Sequence, residues 1–95
     1  MEDMMDKKVI DKYGSWELVF DKKTKSFSIN SHSDSIDMEV SETPEGKLQV
    51  FASLKTCDWF DRSILEDYIK EMAMASEAMT IFQFSIDFYS YENDL

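Results

Sequence analysis

Four short segments in which apolar residues recur at every second position leave this chain few ways to fold. Trp16, Leu18 and Phe20 share one face of an extended segment at 15–20, and Phe27 and Ile29 repeat the pattern at 26–30. At 35–41, Ile36, Met38 and Val40 alternate with Asp37, Glu39 and Ser41. At 47–55, Leu48, Val50, Ala52 and Leu54 face one way, and Gln49, Phe51, Ser53 and Lys55 the other. A period of two marks strands with one face on a core and one toward solvent. The connections agree. Asp21–Lys25 is short and polar, and Thr43-Pro44-Glu45-Gly46 is a strong turn. Pro pre-sets φ at the second turn position, and Gly accepts positive φ two residues on.

The flanking segments read differently. Over 1–14, Met5, Val9 and Tyr13 recur at helical spacing and Gly14 is a stop. This segment reads as a short helix docked through Val9, Ile10 and Tyr13, or as a loose arm. Residues 58–79 predict a helix. Ser63-Ile64-Leu65-Glu66 fits a capping box, and Asp58 and Asp61 suit the turn before it. Leu65, Tyr68, Ile69, Met72, Ser76 and Met79 fall on one stripe. At 80–91, Phe82, Phe84, Ile86 and Phe88 alternate with Gln83, Ser85, Asp87 and Tyr89, which predicts a last strand. The predicted fold is α+β: an antiparallel four- to five-stranded sheet in the order β-β-β-β-α-β, with one helix packed on its apolar face. All of 1–95 is expected to form one domain. Seven Phe, four Tyr and two Trp are enough aromatic material for its core.

The side chains offer no reaction centre. A metal site needs converging ligands, and the chain has one His, His32, and one Cys, Cys57, in different segments. Asp34, Asp37 and Glu39 lack the order of acids and the Gly of a calcium loop. Ser31-His32-Ser33-Asp34 contains triad residue types, but neighbours in an extended segment point to opposite faces. It reads as a polar loop with His32 exposed. With Gly14 and Gly46 each in a turn, no phosphate loop can form. No enzyme activity and no cofactor are expected. A lone Cys fits a reducing compartment, and no stretch is long and apolar enough to span a membrane. The acidic N-terminus has no apolar signal core. A cytoplasmic setting is expected, in a bacterium or a phage-infected cell.

What remains is charge. Twenty Asp and Glu against ten Lys and Arg give a net of -10. Between Lys25 and Lys47 there is no cation, only Asp34, Asp37, Glu39, Glu42 and Glu45, and after Lys70 there is again none. Such a surface repels nucleic acid and membranes and attracts basic partners. Asp37 and Glu39 lie about 6–7 Å apart on one strand face, from a rise of about 3.3 Å per residue. Phosphates along a DNA strand are spaced similarly. Phe51 and Tyr89 are assigned to the same outer face, either as an aromatic anchor framed by acids or packed under the N-terminal arm. On the helix, Asp67, Glu71, Met74 and Ala78 are assigned opposite the core stripe, as an acidic face with a Met anchor.

Size, acidity and the lack of a catalytic motif together look like the profile of phage-encoded anti-defence proteins such as anti-CRISPRs and DNA mimics. The likeness is one of profile, not of motif. It implies an inhibitor, monomeric or homodimeric, that occupies a basic surface of a nucleic-acid-binding protein or nuclease. An immunity protein or antitoxin against a nuclease toxin shares the same surface physics. A dimeric, acidic secretion-type chaperone is the alternative from another class, with Met74, Phe51 and the N-terminal methionines as client contacts.

Overall fold

The computed structural model describes residues 6–33, 35–55 and 62–94, with side chains in the last segment from Leu65 onward. The fold is α+β: five strands followed by one long helix. β1 (Lys7–Tyr13), β2 (Trp16–Asp21) and β3 (Ser26–Ser31) form one antiparallel sheet. β4 (Ile36–Glu42) and β5 (Leu48–Leu54) form a second. α1 (Arg62–Glu92) packs against β5, β1 and β4. Met5, Asp34, Cys57, Asp58 and Asp61, with the side chains of Ser63 and Ile64, lie outside the described residues.

The alternating segments turn the expected residues inward, although Val19, on the other face of β2, is buried as well. Trp16, Leu18, Phe20, Phe27, Ile36, Met38 and Val50 are buried and meet in one core with Ala75, Ala78, Phe82 and Ile86 of the helix. Each of the larger apolar side chains contributes about 1.5–3 kcal/mol by leaving water. Leu54, at the end of β5, remains exposed although it shares the inner face. The Thr43–Gly46 turn forms as expected. Gly46 has φ +86°, and its amide donates to the Thr43 carbonyl at 2.8 Å.

Three features depart from the sequence reading. The first is residues 7–13, which form a strand rather than a helix or an arm. Gly14 is not a helix stop; it sits at φ +58° in the tight connection to β2, where Tyr13 pairs with Trp16. The register slips between Val9 and Asp11, so Ile10 is the extra residue of a bulge. The bulge turns Val9 outward and brings both Ile10 and Tyr13 against the core. A bulge of this kind erases the two-residue period from the sequence.

The second is the expected single sheet, which divides between β3 and β4. At the seam, the Ser31 hydroxyl and the Trp16 indole N–H both donate to the Ile36 carbonyl, at 3.0 and 3.4 Å. Side chains, not the β3 backbone, satisfy the start of β4. The third is 80–91, which is not a strand. α1 runs through it without a break to Glu92. No Gly or Pro follows Gly46, so nothing interrupts the helix. Ala75, Ala78, Phe82, Ile86 and Tyr89 supply the helical stripe that the sheet needs.

The helix also closes an edge. The Gln83 side-chain amide donates to the Leu48 carbonyl at 3.0 Å and accepts from the Val50 amide at 3.3 Å. One side chain thus pairs backbone groups of the open edge of β5. The opposite edge, β1, carries Lys7, Lys8 and Lys12, which discourage another strand from adding.

Candidate interaction surfaces

The strands divide the charge unevenly. Six of the ten cations lie within residues 7–25 on the three-stranded sheet. There Lys12 pairs with Glu17 at 3.6 Å. The β4–β5 sheet and the C-terminal half of the helix carry acids with little to neutralise them. Among the described residues, no cation pairs with Asp37, Glu39, Glu42 or Glu45.

The alternation of β4 sorts its acids. Asp37 and Glu39 lie on the outer face, because Ile36 and Met38 are buried on the inner one. Glu39 stands directly opposite Phe51 and Asp37 opposite Ser53. Phe51 is 44% exposed, beside the exposed carboxylate of Glu39, while Asp37 is half-buried. Glu42 has the parity of the inner face and lies with Lys25 along a groove at the end of the molecule. Glu45 is exposed in the turn. Asp34 lies outside the described residues, so the described part of the acidic strip is Asp37 and Glu39 on the sheet face, with Glu42 and Glu45 around the corner.

Tyr89 does not join Phe51. It faces the core, with ring centroids 4.8 Å from Phe20 and 5.9 Å from Phe27. Its strand assignment placed it outward; the helical phase places it inward.

The expected helix face is corrected by the same phase. Ala78 is fully buried and Glu71 is half-buried, while Leu65, Ile69 and Met72 of the expected core stripe are exposed. At 100° per residue the true core stripe is turned by roughly 80° from the predicted one. Asp67 is exposed. Met74 is exposed as expected, and its tip reaches the β1–β2 turn, where a Cβ at Gly14 would lie 2.9 Å from its terminal carbon.

The turned helix exposes what the sequence reading missed. Ile81, Phe84, Phe88 and Tyr91 all face solvent. Their spacing of three, four and three residues was present in the sequence but hidden by the strand assignment. A shallow groove lined by Tyr13, Ser76, Glu77, Thr80 and Ile81 leads into this stripe. The Tyr13 hydroxyl donates to Glu77 there. That bond, then burial, then the charge of Glu77 raise the pKa of the Tyr13 phenol.

The Ser31–Ser33 loop has a structural use. The buried Ser33 hydroxyl accepts the amides of Ser35 and Ile36, at 3.2 and 3.0 Å, while His32 is exposed. Ser33 and His32 therefore do not converge. No group of His, Cys, Asp and Glu among the described residues is arranged to hold a metal ion. Among the described residues, no helix is long and apolar enough to cross a membrane. No protein-family model, curated protein or solved structure matches the chain.

Proposed function

We propose that this chain is a non-catalytic inhibitor that occupies a basic, nucleic-acid-binding surface of a partner protein in the cytoplasm, in the manner of phage anti-defence proteins and DNA mimics. The carrying observation is the outer face of β4–β5, where, among the described residues, no cation pairs with the half-buried Asp37 or with the exposed Glu39 opposite Phe51. Carboxylates at a phosphate-like spacing offer Lys and Arg some of the field of a nucleic-acid backbone. An exposed aromatic among them supplies the apolar anchor typical of binding hot spots. An immunity protein against a nuclease toxin uses the same physics, and a toxin gene beside this one distinguishes it. The exposed apolar residues of α1 favour a second reading, a chaperone that holds apolar client segments.

The test begins with capture of host proteins on the immobilised chain, repeated with the Asp37→Lys, Glu39→Lys double variant. Captured partners are expected to bind duplex DNA or RNA and to be displaced by it. Capture should weaken as salt rises from about 0.1 to 1 M, as the screening length falls from about 10 to 3 Å. A partner that holds nucleic acid and this chain together refutes the reading. So does capture that ignores both salt and the double variant.

A further inference from the structure

The C-terminal half of α1 carries more apolar surface than the fold uses. Phe82, Ile86 and Tyr89 face the sheet, yet Phe84 is 70% exposed and Tyr91 86%. With Ile81 and Phe88 they make a second stripe along the same helix. The Phe84 and Phe88 rings lie nearly parallel, 8° apart in plane with centroids at 6.2 Å. They form one stacked aromatic pair on the exposed side of the helix. The spacing of three, four and three is the one at which side chains of one helix seat between those of another.

The surroundings of the stripe select its occupant. Asp87 and Glu92 flank it at about 100° per residue, no basic residue lies in the last turn, and no Lys or Arg follows Lys70 in the chain, while Lys25 shares a groove with Asp87 on the side toward the sheet. The negative end of the helix dipole adds to the potential at the same place. A second copy is a poor occupant, because two such stripes laid together bring two acidic borders, with no Lys or Arg beyond Lys70 in either chain, into one interface. We propose that Ile81, Phe84, Phe88 and Tyr91 form the docking site for an amphipathic helix of a partner protein whose apolar side is bordered by Lys and Arg. The inference rests on the reading of the chain as a binder of basic partners, but it uses a surface separate from the β4–β5 face.

Two designed helical peptides of about three heptads, with Leu at the core positions, test it. One carries Lys at the flanking positions and the other Glu. Each is titrated into the full chain by fluorescence anisotropy at about 0.1 M salt. The Lys peptide is expected to bind at least about tenfold more tightly than the Glu peptide. Phe84→Ser with Phe88→Ser should weaken it by about 30-fold or more, as loss of a hot spot does. Asp87→Lys with Glu92→Lys keeps every apolar contact and should invert the preference. Circular dichroism checks that both variants remain folded. Asp37→Lys with Glu39→Lys should leave peptide binding unchanged, so a failure here is separable from a failure of the sheet-face reading. Equal binding of the two peptides, or binding of neither, overturns the proposal. A dimer of the chain alone in sedimentation, abolished by Phe84→Ser with Phe88→Ser, also overturns it, because the occupant is then a second copy.

Discussion

Phe82 and Phe84 are two residues apart, and their contrast tests the continuous helix directly. In a strand they would share a face, and truncating either would cost about the same. On α1, Phe82 is 0% exposed and Phe84 70% exposed. Truncating a fully buried Phe to Ala costs about 3–5 kcal/mol. That is a large part of the roughly 5–14 kcal/mol expected at about 0.05–0.15 kcal/mol per residue. Phe84 keeps less than a third of its ring covered, so Phe84→Ala loses only about 1 kcal/mol of burial. The better helix propensity of Ala returns about half of that. The net change at Phe84 is therefore within about 0.5 kcal/mol. Phe82→Leu, which keeps most of the buried volume, is included in case Phe82→Ala does not fold. Urea unfolding followed by far-ultraviolet circular dichroism reads all three. At an m-value of about 1–1.5 kcal/mol/M, Phe82→Ala moves the midpoint down by about 2–5 M and Phe84→Ala by no more than about 0.5 M. Equal losses at the two positions would show a two-residue period and refute the helix over 80–92.

Three further outcomes follow from the packing around α1. Gln83→Ala removes both bonds to the β5 edge. It should cost about 1–2 kcal/mol, and it should speed hydrogen exchange at the Val50 amide more than at amides within β2. Gly14→Ala meets positive φ and the Met74 side chain, and should cost about 1–2 kcal/mol in thermal melts. In a Met74→Ala background the steric part disappears and only the backbone strain remains. Tyr13→Phe tests the bond to Glu77. A phenol whose pKa is raised in the folded state contributes stability below its unfolded pKa of about 10, and that contribution fades as pH rises through the folded value. Tyr13→Phe should therefore lower Tm at pH 7–9, and the gap to the parent protein should close above about pH 10. A gap that widens at alkaline pH contradicts the assignment.

How far the fold can be read from the residues depended on whether a segment had one apolar face or two. β2 to β5 each turn one apolar face to the core, and their period gives the strands, their inward residues and the Thr43–Gly46 turn directly, though not the burial of Val19 on the other face of β2. β1 fails because the bulge at Ile10 breaks its period. The helix fails in phase for a different reason. Leu65, Ile69 and Met72 form a stripe as apolar as Ala75, Ala78, Phe82 and Ile86, and a window ending at Met79 has no means of choosing between them. Only the large residues beyond it, Phe82, Ile86 and Tyr89, fix which side meets the sheet. Those same residues, read with Phe84 and Phe88 between them, imitate a strand. A helix that serves only its own domain has one apolar side, and its phase can be read without ambiguity. The ambiguity in α1 thus has a physical source: apolar residues that the domain does not need for its core. They lie on two different sides: Leu65, Ile69 and Met72 on one in the first half of the helix, and Phe84 and Phe88 on another in the second half. The first set hides the phase and the second imitates a strand, and it is the second that a partner is proposed to cover.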